Sequence, residues 1–197
     1  MKNFLVLIDA GHGIDTKGKR SPDNTLQEYR YCRDLAGELS VRLQENGIEN
    51  IVIVPEDKDI PLRERCNRAN ALAASTDKDT ILISLHCNAA GMGQKWLNAS
   101  GWQACVYTDA SEDSKRLASC LAQSAERKGL KVRRSAPNQD HWAMNLAICR
   151  DTIMPAVLTE NLFMDNKQEV EYLLSLEGFE IIVDLHCQGI LNYFNKR

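Results

Sequence analysis

Short, wholly apolar runs alternate along this chain with longer stretches whose apolar positions recur every three or four residues. Phe4-Leu-Val-Leu-Ile8 is apolar throughout, as a strand covered on both faces of a sheet is, and predicts a strand over about residues 3–9. The same signal predicts strands over about 50–54, 80–86 and 155–160, and a short one over 146–150. Residues 101–108 alternate apolar with polar, which predicts a strand with one partly exposed face. Between these, Cys32, Leu35, Ala36, Leu39 and Leu43 share one helical face and predict a helix over about 25–46, stopped at Gly47. Further helices are predicted over about 61–75, with Pro61 in the first turn, and over 112–128, 167–175 and 178–194. Strands alternating with helices predict an α/β fold: a three-layer sandwich with a central, largely parallel twisted sheet of about six strands flanked by helices. With 197 residues and no linker or low-complexity tract, residues 1–197 are expected to form a single domain.

The polar segments complete the map. Residues 14–24, with Gly18, Pro22 and Asn24, read as a loop. Residues 88–101 hold three glycines, two asparagines and Trp96 and read as an irregular loop at the sheet edge where substrate sites form. Residues 131–145 are polar, with Arg133, Arg134, Pro137, His141 and Trp142.

Composition changes this picture little. A chain that is 44% hydrophobic and 26% charged has the balance of a soluble globular protein. A net charge of −3 without a long basic block gives no reason to expect a nucleic-acid partner, while a local patch can still hold a polymer. The seven cysteines form no Cys-x-x-Cys pair and mostly sit within apolar patterns, so they are expected to be buried reduced thiols, in keeping with synthesis in a reducing compartment. The opening apolar run is about five residues long and ends at Asp9, whereas a signal peptide needs about 7–15. Met1 is therefore expected to start the domain, with no recognisable signal peptide and no transmembrane segment.

Candidate chemistry gathers at one place. His12, His86 and Glu160 each close an apolar strand, and Glu28 opens a helix. In a parallel sheet, strand C-termini and helix N-termini line the same edge, where open α/β folds bind ligands. Two histidines and a carboxylate match the His/His/Glu set of a catalytic zinc site, leaving a second carboxylate to move protons. Glu28 lies four residues before Cys32 and seven before Leu35, so it points along the buried stripe. The bland alternatives are a first-turn Glu favoured by the helix dipole and two hydrogen-bonded core histidines. His186 falls in a helical segment that fits packing or exposure. His141 falls in a polar loop, exposed or facing the cleft. A thiol nucleophile at Cys87 is the enzymatic rival, but adjacent residues of a strand point to opposite faces, so His86 cannot serve it. Gly11-x-Gly13 lacks the third glycine of a dinucleotide fingerprint.

Asp9-Ala-Gly-His12-Gly, Glu28, Ser84-Leu-His86-Cys-Asn88-Ala and Met154-Pro-Ala-Val-Leu-Thr-Glu160-Asn-Leu-Phe163, in this order, resemble the motifs of the zinc-dependent N-acetylmuramoyl-L-alanine amidases of the third amidase family. The resemblance implies that His12, Glu28 and His86 bind Zn2+ and that Glu160 is the catalytic acid/base. It also implies a peptidoglycan substrate, cut between the lactyl group of N-acetylmuramic acid and L-alanine, and action on the cell wall after release or export, as for an endolysin. Two positions depart from the pattern: Leu162 stands where the family commonly has glycine, and Cys87 where a small residue such as alanine is usual. A zinc peptidase acting on stem peptides and a non-catalytic peptidoglycan-binding module are the alternatives. Glu160 argues against the module, and only product analysis separates the peptidase.

Overall fold

The computed structural model describes residues 4–92 and 94–195. The expected start of the domain at Met1 lies outside them. The elements run β1 (Phe4–Ala10), α1 (Glu28–Glu45), β2 (Glu49–Val52), α2 (Leu62–Ala74), β3 (Asp79–Asn88), β4 (Gln103–Val106), α3 (Glu112–Arg127), β5 (Trp142–Ala143), α4 (Ala147–Arg150), β6 (Ala156–Phe163), α5 (Lys167–Leu174) and α6 (Leu176–Asn195). The strands form one six-stranded sheet in the order β2-β1-β3-β6-β4-β5. Every pairing is parallel except that of β4 with β6. This is the α/β architecture that the patterning predicts.

Alternation along the central strands fills both faces. Phe4, Val6 and Ile8 of β1 and Ile81, Ile83 and Leu85 of β3 pack into the core shared with α1, α3, α5 and α6. Leu5, Leu7, Leu82 and Leu158 pack on the opposite face against α2 and α4. The central strands are buried on both sides, so they read as continuous apolar runs. On β3, His86 falls two residues beyond Ser84 and four beyond Leu82, and therefore emerges on the α2/α4 face. Cys87 turns toward α1.

Two expectations need correction. Residues 146–150 are not a strand: Ala147–Arg150 is the helical turn α4, closed by Cys149 and Arg150 N–H groups on the Leu146 carbonyl. An apolar run of four or five residues does not distinguish a strand from a helical turn. The strand at that sheet edge is instead Trp142–Ala143, inside the segment expected to be loop. Helix α1 begins at Glu28, not near 25. Ser21, Asp23 and Thr25 keep the chain in a side-chain-bonded turn until then: Leu26 N–H donates to Ser21 Oγ at 3.0 Å and Thr25 N–H to Asp23 Oδ1 at 3.1 Å.

Candidate metal centre

His12, Glu28 and His86 converge at the C-terminal edge of the sheet, with one ligand atom from each lying within 4.8 Å of the others. Glu28 Oε1 is 3.4 Å from His12 Nε2 and 3.2 Å from His86 Nδ1. The two rings stand edge to face, 4.9 Å apart. Ligands about 2.0–2.2 Å from a shared tetrahedral centre lie roughly 3.3–3.6 Å from one another, so these spacings fit a zinc-sized cation. Glu28 is fully buried and its Oε2 has no hydrogen-bond partner among the described residues, an orphaned carboxylate oxygen of the kind a cation satisfies.

Each group is held in place by its own element. Glu28 opens α1 in the inward register, and its Oε1 also accepts the Cys87 N–H at 3.0 Å. His12 follows β1 with φ +59°, a left-handed conformation that costs a non-glycine residue about 1–2 kcal/mol. Two guanidinium groups hold that turn. Arg33 Nη2 and Arg65 Nη2 donate to the His12 carbonyl at 2.9 and 3.0 Å. Arg65, itself buried, also donates to the Ala10 carbonyl at 2.7 Å and to Asp9 at 2.8 Å, and Asp9 accepts the Ser84 hydroxyl at 2.6 Å. A side chain at Gly11 would run into the His86 ring, so the close approach of β1 and β3 requires glycine there.

The electrostatics follow from burial and proximity. Desolvation lowers the His12 pKa to about 4, which keeps its imidazole neutral, the form that ligates metals. Burial opposes ionisation of Glu28, but the His86 hydrogen bond and the charges of His86, His12 and Lys19 outweigh it and hold the carboxyl below its ordinary range. Burial alone would lower His86, but Glu28 beside it raises it.

Glu160 lies in lateral register with His86 across the β3–β6 pair. Its Oε2 is buried without a hydrogen-bond partner among the described residues, and burial, opposed by His86 and reinforced by the charge of Glu28, pushes its pKa up to about 7. Directly after it β6 carries a bulge: His86 pairs with Glu160 but Asn88 pairs with Phe163, and Leu162 takes φ +65°. The site opens onto a mostly apolar cavity of about 300 Å³ between α2 and α4, walled by Ile60, Leu62, Leu146 and Ile148.

The remaining candidates lie apart. His186 is fully buried on α6, its Nδ1 2.7 Å from the Ile182 carbonyl and its Nε2 2.9 Å from the Thr159 hydroxyl. His141 sits 3.4 Å from Asp140, outside the cluster. The Cys87 thiol is hydrogen-bonded to that of Cys32, and this contact together with burial raises its pKa well above the ordinary thiol range, which disfavours the thiolate a nucleophile needs. Sequence reasoning missed Arg33, Arg65 and Asn161. Asn161 receives the Trp102 indole N–H at 2.8 Å and donates to the His86 carbonyl at 3.0 Å. Burial of Arg65 has a sequence signal, since Arg65, Ala69 and Leu72 share a helical stripe, whereas Arg33 and Asn161 have none.

Comparison with known proteins identifies relatives of this chain. The endolysin of Bacillus phage SPP1 is 28% identical over 195 residues, covering 98% of this chain and 67% of its own length. The N-acetylmuramoyl-L-alanine amidase CwlM of Bacillus licheniformis is 28% identical over 193 residues, covering 96% of this chain and 68% of its own. The crystal structure of an N-acetylmuramoyl-L-alanine amidase from Clostridium difficile 630 superposes over the full length of both chains with a TM-score of 0.86 at 24% identity, which shows the shared fold. The family model described as N-acetylmuramoyl-L-alanine amidase matches residues 6–192, and the chain belongs to that family.

Proposed function

We propose that this chain is a zinc-dependent N-acetylmuramoyl-L-alanine amidase, in which residues 1–197 form one catalytic domain that hydrolyses the amide between N-acetylmuramic acid and L-alanine in peptidoglycan. The family match and the names of the relatives support the reaction and the peptidoglycan substrate. The observation that carries the mechanism is the meeting of His12, Glu28 and His86 with Glu160 in lateral register beside them. No helix among the described residues is long and apolar enough to cross a membrane. The place of action proposed is the cell wall.

His12, Glu28 and His86 are the groups that hold the ion. When bound, Zn2+ supplies Lewis acidity, polarising the scissile carbonyl and acidifying water. Glu160 then has two tasks on the same face of the sheet. Its carboxylate accepts a proton from the attacking water, and its carboxylic acid returns one to the departing L-alanine nitrogen. A pKa near 7 suits a group that must do both at neutral pH. The apolar cavity beside the cluster excludes water and takes the methyl-bearing parts of the substrate.

Glu160→Gln tests the assignment. Positioned acid/base groups contribute about 10²–10⁴-fold, so the variant is expected to keep its fold and zinc content and to lose at least about a hundredfold in turnover. Zinc stoichiometry and turnover are measured on one preparation, with products of peptidoglycan digestion identified by mass spectrometry. A zinc-loaded variant with near-normal rate rules out the acid/base role. Products cleaved within the stem peptide would establish the peptidase instead.

A further inference from the structure

The loop over residues 14–20 carries Lys17, Lys19 and Arg20 against a single carboxylate, Asp15. Asp15 is already engaged, accepting the Asp59 N–H at 2.7 Å. Arg20 donates to the Asn24 amide oxygen at 3.4 Å, and neither Lys17 nor Arg20 has a carboxylate within 4.0 Å among the described residues. With Gln27 and Tyr29 these residues enclose an open pocket of about 590 Å³. The loop is fastened to the head of α1: Glu28 N–H donates to the Lys19 carbonyl at 3.0 Å, and Arg20 bridges to Gln27. Lys19 therefore belongs both to this pocket and to the metal cluster. Its Nζ lies 4.0 Å from Glu28 Oε2, too far for a hydrogen bond, and its side chain is 39% exposed.

The charge balance shows what the pocket lacks. Under the reading above, two neutral imidazoles and the Glu28 carboxylate leave a divalent ion with a net charge of about +1. Glu28 then no longer neutralises Lys19. A half-exposed ammonium, two further unpaired cations and the N-terminus of α1 make a pocket that calls for an anion. In an N-acetylmuramoyl amide the muramic carboxyl is consumed by the amide, so the glycan side is uncharged there. The peptide side carries the carboxylates.

We propose that the pocket formed by Lys17, Lys19 and Arg20 is a carboxylate subsite, which binds the peptide side of the substrate through the free carboxylate of the residue after L-alanine. This rests on the amidase reading and adds an orientation to it: the peptide leaves over the 14–20 loop, toward the head of α1. It also adds a selectivity, because converting that carboxylate to a carboxamide removes the charge the pocket reads.

The test uses two muramyl tripeptides in which the γ-carboxyl of the second residue is consumed by the next peptide bond, N-acetylmuramoyl-L-alanyl-γ-D-glutamyl-L-lysine and its D-isoglutaminyl counterpart, so that they differ only in the one remaining carboxylate of that residue, with kcat and KM measured separately. The wild-type protein is expected to favour the free acid by about tenfold in kcat/KM, chiefly through KM, and to lose that preference as salt is raised. Lys19→Gln is expected to bring the ratio to within about twofold of unity. The Lys17→Gln/Arg20→Gln double variant, altered only on the exposed rim, carries the same test if Lys19→Gln fails to fold. A wild-type ratio near one, a ratio unchanged in the variants, or a parallel loss on both substrates overturns the subsite. The last of these is what a lysine serving only to offset Glu28 would give. Cleavage without discrimination leaves the amidase reading standing. Cleavage of neither substrate by zinc-loaded wild-type protein overturns both.

Discussion

His12 shows how much of a site depends on groups that never touch substrate. Its left-handed backbone is unfavourable for a non-glycine residue, and the conformation persists because Arg33 and Arg65 both grip its carbonyl. The Arg65 guanidinium makes five hydrogen bonds, including Nε to the Ile60 carbonyl at 2.7 Å and Nη2 to Asp59 at 3.0 Å. A lysine has a single point charge and cannot reproduce that fork. Arg65→Lys is therefore expected to weaken zinc binding by about 10–100-fold, the usual effect of losing the support of a metal ligand. Competition against a chelator of known affinity measures this, and unchanged affinity in folded protein would show that His12 holds its turn unaided. At this scale the sequence was uneven. The positions of His12, Glu28 and His86 were legible from strand ends and a helical stripe, whereas Glu160, expected to close its strand, lies within β6, which the bulge carries on to Phe163. Of Arg63, Arg65 and Arg68 on α2, only Arg65 is buried; the helical stripe it shares with Ala69 marks that burial, while the carbonyls it meets across the fold are not written in the sequence.

At the scale of elements, the bulge in β6 matters most. It inserts one residue opposite Cys87, and Leu162 takes the left-handed position there. Leu162 is also buried, so two terms oppose each other. Truncating a buried leucine costs about 2–5 kcal/mol, while relieving the left-handed strain returns about 1–2 kcal/mol. Packing wins, which accounts for a leucine where glycine is the easier backbone. Both Leu162→Gly and Leu162→Ala are expected to destabilise the protein. Here, unusually, alanine should be worse than glycine by about 1 kcal/mol, since it keeps the strain without the side chain. Denaturant titrations decide the order, and an alanine variant more stable than the glycine variant contradicts the backbone account. Long, doubly covered strands such as β1 and β3 were legible from their patterns. The α4 turn was not, because Leu146-Ala-Ile-Cys-Arg is too short to show a period, and the start of α1 was hidden by the side-chain bonds of Ser21 and Asp23.

Across the whole molecule, a polar chain runs through the core behind the site, from Trp102 through Asn161 and Thr159 to His186. The Ile182 carbonyl can only accept, which fixes the tautomer: His186 Nδ1–H donates to it and Nε2 accepts the Thr159 hydroxyl. Burial lowers the His186 pKa to about 4, against about 6.5 in the unfolded chain. The neutral ring is thus fully compatible with the fold above pH 6.5, and stability falls as the unfolded state takes up a proton between pH 6.5 and 4. The loss is about 2 kcal/mol by pH 5 and about 3 kcal/mol by pH 4. His186→Gln is expected to be less stable at pH 7 but to lose less on going from pH 7 to pH 5. Equal losses in calorimetry or denaturant titration would place the acid sensitivity elsewhere. The strand order has a consequence of a different kind. β6 lies between β3 and β4, yet it follows both in the chain. As the polypeptide leaves the ribosome, His12, Glu28 and His86 emerge within the first half, while β4 has no seat beside β3 until residues 156–163 arrive. The strand that then completes the sheet is also the one that brings Glu160. Under the proposed reading, the residues that would hold the cation are therefore all synthesised well before the acid/base, and turnover has to wait for residues 156–163.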